Sequence, residues 1–349
     1  MLFAAPRSPR SLAQGMAGAL LGAATASAAY ALLTRFRALP MPPRPGEGRT
    51  GEVIVPQPRS EPRPEPAMAG AGGRSTPGSR TSASTRGNVS LRSTGADRFD
   101  TTAPDVPAAQ TEDRWLRTNF RGRTVTLHQG SALACGVCAA TLLVPGPTTR
   151  VRAACALAAA GAAAFGVYDD LAGSTRTRGL RGHLGALARG RVTTGMVKMA
   201  GIGATGVAAA ALLRRSPLDT LMDGALIATS ANLLNLFDLR PGRAVKVALL
   251  AAVPALASPA APLVGPAVGA SAALLPDELA ERSMLGDGGA NALGAALGAA
   301  AAAGAPRPLR AALLVAVTVL TLASERVSFS RVIDGVPALR RLDRWGRHE

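Results

Sequence analysis

One pattern recurs throughout this sequence. Apolar stretches of about 17 to 23 residues follow one another along most of its 349 residues, each near the length a helix needs to cross about 30 Å of hydrocarbon. They fall near 13–34, 129–146, 151–168, 195–213, 221–237, 244–257, 260–275, 289–304 and 308–324. The sequence therefore predicts an all-α, polytopic integral membrane protein with about nine transmembrane helices, eight to ten if the count errs by one. Aromatic residues make up only 3% of the chain although 48% is hydrophobic, so Ala, Leu, Val and Gly must build the spans. Helices of that kind pack through small residues that let backbones approach, and GAALG at 294–298 has that spacing. Disordered and ordinary soluble chains have other compositions.

The formal net charge is +17, and its distribution sets an orientation. The stretches 171–198, 239–247, 276–289 and the tail from 326 carry sixteen basic residues. The N-terminal tail and the turns near 147–152, 214–219, 258–259 and 305–310 carry eight. The positive-inside bias assigns the first set to the cytoplasm. The N-terminal segment has some features of a cleaved signal peptide, but Arg35, Arg37, Arg44 and Arg49 after its apolar stretch favour a retained span. Four regions result: an N-terminal transmembrane helix over 1–37, a Pro/Gly/Ser/Arg-rich cytoplasmic loop over 38–112, a transmembrane core over 113–325 and a basic tail over 326–349. The loop, with PMPPRPGEGRT and similar runs, holds too few large apolar residues to bury a core and is expected to be disordered.

Two motifs invite chemistry that their context denies. CGVC at 135–138, like Cys155, lies within a predicted span, so the cysteines read as small packing residues. GIGATG at 201–206 matches a dinucleotide-binding pattern, which needs a preceding strand. Here the glycines sit inside a helical stretch and read as close packing. His183 reads as a surface histidine.

Three apolar segments end, on the same predicted side, in short polar motifs: YDDLAG at 168–173, NLLNLFDLRPGR at 232–243 and MLGDGGAN at 284–291. Convergence of that kind points to one shared site. Asn232, Asn235 and Asp238 are spaced three apart, on one side of a helix, and two amides with a carboxylate suit a hydroxyl-rich or nucleotide ligand. Arg240 and Arg243 follow as cations able to neutralise phosphate. Glycines flank Asp287 at the start of a following helix and permit close backbone approach to a ligand. Aspartates from separate helices are suitable ligands for Mg²⁺, which completes its shell with water and substrate phosphate. The loop 175–198 adds six cations, which positive-inside bias alone would also supply.

With these residues in view, the chain resembles the polyprenyl-phosphate N-acetylhexosamine-1-phosphate transferases of glycosyltransferase family 4, the phospho-MurNAc-pentapeptide translocase among them, as a divergent branch. The likeness runs from about Asn119 to the C-terminus. NFRGRTVTL resembles the segment before the family's second span, YDD its first acidic motif, NLLNLFDLRPGRA its Asn-rich second motif and MLGDGG its Gly-Asp-x-Gly turn. The resemblance implies catalytic roles for Asp169, Asp170 and Asp238, and metal ligation by Asp238 and Asp170. It implies substrate contacts from Lys198, Asn232, Asn235, Arg243 and Asp287. The implied cofactor is Mg²⁺, with Mn²⁺ as substitute, and the implied partners are polyprenyl phosphate, a UDP-sugar and membrane lipid, without nucleic acid and with a homodimer allowed. The implied setting is a bacterial plasma membrane, with the site facing the cytoplasm and serving cell-wall biogenesis.

The sequence also departs from the family pattern. Gly173 replaces the usual acidic or amide residue, LRPGR replaces the continuation after Asp238, and a His-rich loop between the last two spans is missing. A catalytically silent lipid-phosphate-binding scaffold is therefore the alternative expectation, and a secondary transporter ranks behind it.

Overall fold

The computed structural model describes residues 9–36, 114–172, 182 and 185–347. The expected loop over 38–112, Gly173 and His183 lie outside the described residues, as does most of the basic stretch 173–184. Among the described residues nine helices have 14 or more residues. They are α1 Pro9–Phe36, α2 His128–Leu143, α3 Thr149–Ala172, α4 Thr194–Leu212 and α5 Pro217–Phe237, then α6 Arg243–Leu256, α7 Ala261–Leu279, α8 Gly286–Gly304 and α9 Arg307–Ser324. Two short helices follow, α10 Phe329–Gly335 and α11 Pro337–Arg344. A two-stranded antiparallel hairpin, β1 Leu116–Thr118 with β2 Thr124–Thr126, precedes α2. The helical expectation did not include it.

Four of these helices are long and apolar enough to cross a membrane: α1 over Pro9–Arg35, α3, α4 and α9. Helix α6 is different. Its 14 residues rise about 21 Å at roughly 1.5 Å each, short of about 30 Å of hydrocarbon. Pro254 lies in its last turn, and Pro266 and Pro276 lie within α7.

Local signals start the helices where the chain needs to turn. Ser216 caps α5 by accepting the Asp219 amide at 3.2 Å, with Pro217 at the first position. Thr193 caps α4 through the Met196 amide at 3.3 Å. Gly242 at φ +70° and Gly286 at φ +61° turn the chain into α6 and α8 in a conformation that glycine adopts without penalty.

Helix α8 is central and packs against α2, α3 and α5. Its residues are almost all small, and most are buried, Leu293 and Asn291 included. A Cβ added at Gly166 of α3 would meet the Asp287 carbonyl oxygen of α8 at 2.4 Å, so α3 and α8 touch nearly backbone to backbone. The larger core side chains Leu133, Leu226, Ile227, Leu274 and Leu285 fill the space around this axis. CGVC and GIGATG both fall inside helices, α2 and α4. The Cys138 thiol lies 3.6 Å from the Ala156 carbonyl of α3.

Candidate functional site

Three helix termini meet at one end of the bundle. Helix α3 finishes there with Asp169 and Asp170, α5 finishes there with Asp238 as its C-terminal cap, and α8 begins there with Asp287 in its first turn. Apolar segments that end together present their polar ends together, which gives the convergence of the three motifs a physical basis.

The carboxylates are not equivalent. Asp170 Oδ2 accepts the Gly288 amide at 2.9 Å and Oδ1 accepts the Asp287 amide at 3.2 Å. It thus serves unpaired donors of the first turn of α8, where a negative charge is favoured. Asp169 pairs at 2.8 Å with Lys198 of α4, and the same ammonium contacts the Asp287 carboxylate. Lys198 therefore ties α3, α4 and α8 together.

A cavity of about 380 Å³ opens beside this junction. Asp170, Asp238 and Asp287 line it with Arg117, Arg240 and Glu278. Removal from water, then the nearby charges of Glu278, Asp287 and Asp170, push the Asp238 carboxyl well above the usual carboxylate range. The Gly286 amide opposes that shift only in part. Arg117 of β1 donates to the Asp170 main-chain carbonyl. The Arg240 guanidinium stacks 4.1 Å from the Phe120 ring centroid, a geometry that holds a cation without neutralising it.

Two acids missing from the sequence reading frame the far wall. Glu278, buried in the last turn of α7, accepts Gln129 Nε2 at 3.0 Å and the Gly242 amide at 3.1 Å. Glu281, also buried, accepts Asn119 Nδ2 at 2.7 Å and pairs with Arg121 at 3.1 Å. The sequence signal was present, since PDELAER puts four charges directly after an apolar stretch. Arg117 and Phe120 carried no such signal, because β1 and β2 are only three residues each, too short for alternation to show.

Other expected site residues stand apart. Asn232 and Asn235 lie half-buried on α5 and do not line the cavity, nor do Asp169 and Lys198. Arg243 turns away from it. Its buried guanidinium grips Asp343 in two contacts of 2.8 and 3.0 Å and donates to Ser330 at 2.8 Å. A buried guanidinium needs acceptors for its fixed fork of donors, and a carboxylate satisfies two of them at once. Lys246 continues this clasp by donating to the main-chain carbonyls of Asp343 at 2.8 Å and Trp345 at 2.6 Å, and Arg347 donates to that of Pro241 at 2.8 Å.

Among the described residues no three His, Cys, Asp or Glu side chains converge closely enough to hold a metal ion by themselves. Mg²⁺ requires less, because one or two carboxylates suffice when water and phosphate complete the shell. The donor set fits that demand, with hard oxygen ligands crowded in one cavity. Each Asp170 oxygen keeps a further lone pair beyond its amide bond. In comparisons with known proteins, no family model matches the chain and no curated protein is similar to it.

Proposed function

We propose that the protein is a polytopic membrane enzyme that transfers a sugar-1-phosphate from a cytoplasmic UDP-sugar to polyprenyl phosphate, releasing UMP. The observation that carries this reading is the joining of Asp170, Asp238 and Asp287, from three separate helix ends, in one cavity with Arg117 and Arg240. Acids and cations at the end of an apolar bundle suit a reaction between one substrate rooted in lipid and another arriving from water. Exposed apolar side chains on α9, Val315, Val319 and Leu322 among them, support immersion in lipid. The positive-inside bias supports a cytoplasmic cavity and a plasma membrane with all nine long helices embedded, the short α6 as one member of a pair with α7.

In this reaction an oxygen of the lipid phosphate attacks the β-phosphorus of the UDP-sugar. The bond from that phosphorus to the oxygen bridging the α- and β-phosphates breaks, and that oxygen leaves on UMP. The lipid phosphate is already largely ionised near neutral pH, so little is asked of a general base. Asp238 and Asp170 are the ligands we assign to Mg²⁺, with Mn²⁺ as substitute, and the ion supplies charge neutralisation between the two anions. Arg240 and Arg117 hold phosphate oxygens at the cavity wall. Lys198, bound to Asp169 and Asp287, keeps the acids of α3 and α8 in register.

One observation favours a second reading, a lipid-phosphate-binding scaffold without turnover. Asp170 has both oxygens engaged by α8, and Lys198 is held by two carboxylates. The deciding experiment is UMP release by purified protein given polyprenyl phosphate, Mg²⁺ and a panel of UDP-sugars. Release with one sugar, lost on chelation and in Asp238→Asn, supports the transferase. No release alongside intact lipid-phosphate binding leaves the scaffold.

A further inference from the structure

Residues 326–347 carry six arginines and two acids, and their arrangement is not explained by transfer chemistry. Helix α9 ends at Ser324 on the cavity end of the bundle, and α10 and α11 then run across the base formed by α5 and α6. Phe329 stacks on Phe237 at 4.7 Å between centroids, while Asp343 and the main chain at 343–345 are pinned by Arg243 and Lys246. The inward side of the segment is thus committed to the protein.

The remaining surface of the segment is amphipathic. On α11, Leu339 and Leu342 lie on one side and Arg340, Arg341 and Arg344 on the opposite one, at 100° per residue. Leu339 and Leu342 are exposed, and so are Val332 and Val336 before them. Leu339 and Leu342 are three apart on α11, and Val336, with its extended backbone, joins α10 to α11. Trp345 is 69% exposed although Lys246 holds its carbonyl. A fixed backbone with a projecting indole is the arrangement that places tryptophan at a membrane boundary. Apolar and basic faces on a short surface helix suit burial at a headgroup layer of opposite charge.

We propose that α10 and α11 form an arm that lies on anionic lipid headgroups at the edge of the cavity. The occupant of this exposed face is the anionic surface of the bilayer that holds the bundle, and the inference rests on the bilayer reading given above. The arm contacts Pro241 through Arg347, and Pro241 lines the cavity, so lipid charge is sensed beside the site.

Trp115 and Trp345 are the only two tryptophans, so Trp115→Phe leaves Trp345 as sole reporter. The full chain is reconstituted in vesicles of phosphatidylcholine, alone or mixed with phosphatidylglycerol, with bromine on the acyl chains as quencher. Resistance to alkaline carbonate extraction is scored first on the same sample and reports insertion separately. The expected result is Trp345 quenching at least about twofold stronger with phosphatidylglycerol, reduced to the phosphatidylcholine level in Arg331→Gln/Arg340→Gln/Arg341→Gln/Arg344→Gln. Inserted protein whose Trp345 is quenched only by aqueous iodide overturns the inference and leaves the bilayer reading standing. Equal lipid quenching in both vesicles, unmoved by the arginine changes, overturns it too, since headgroup charge then plays no part. Carbonate-extractable protein fails the bilayer reading, and the arm with it. If Trp115→Phe misfolds, the difference between wild type and Trp345→Phe supplies the same signal.

Discussion

The carboxylate of Asp170 caps a helix to which it does not belong, accepting the Gly288 amide at 2.9 Å. Such a cap joins α3 to α8 through charge and two hydrogen bonds together. Asp170→Asn keeps one of the two acceptors and loses the favourable interaction with the helix dipole, and Asp170→Ala loses the charge and both acceptors. The expected costs are about 0.5 to 1 kcal/mol for Asn and about 1 to 2 kcal/mol for Ala, measured as thermal unfolding in detergent. Equal stability of the two variants and wild type would exclude the capping role.

Asp238 should behave in the opposite sense. Its carboxyl is held well above the usual range by burial and by Glu278, Asp287 and Asp170. A raised acid contributes stability below its ordinary pKa of about 3.9, and the contribution is lost as pH rises through the raised value. Asp238→Asn removes that dependence. The variant should match wild type near pH 4 and unfold at a higher temperature than wild type at pH 8, while losing UMP release. A lower melting temperature at pH 8 would contradict the charge crowding.

The clasp on Arg243 makes a separate prediction. Burial works to raise the Asp343 carboxyl, but Arg243 and Arg347 prevail and hold it below the usual range. A depressed acid contributes stability above its ordinary pKa of about 3.9 and loses it as pH falls through the lowered value. Hydrogen exchange of residues 326–347 should therefore accelerate in acid before that of α8. Asp343→Ala, which strands a buried guanidinium, should cost about 3 to 5 kcal/mol and open the segment at neutral pH.

At Lys198 the prediction concerns activity. Lys198→Met leaves Asp169 and Asp287 facing each other without a cation, and on the proposed reaction UMP release should fall by about 10² through misplaced acids. Lys198→Arg should recover little, because a planar fork does not replace a point charge between two carboxylates. Full activity in Lys198→Met would exclude this positioning role.

The helices were legible because one kind of order, the length of apolar stretches, survives in sequence without knowledge of the neighbours. The meeting of Asp170, Asp238 and Asp287 could be inferred from motifs ending on one predicted side. The division of labour among them could not. Whether Asp170 caps α8 depends on how closely α3 approaches it, which Gly166 and Gly288 set. Arg243 shows the same limit. It sits three residues after Arg240, inside one basic motif, yet Arg240 stacks on Phe120 while Arg243 reaches Asp343 a hundred residues on. The hairpin was missed because three-residue strands leave almost no periodicity to read.

The loop that carries Asp238 and Arg240 is held by Glu278 on the Gly242 amide and by Arg347 on the Pro241 carbonyl. Those two contacts come from residues translated well after the loop, one of them after all nine long helices. A nascent chain made as far as α6 therefore has Asp170 and Asp238 but lacks the braces that hold their loop. Completion of the cavity thus follows synthesis of the whole bundle, so a ribosome stalled in the last helices leaves a chain with an unfinished site.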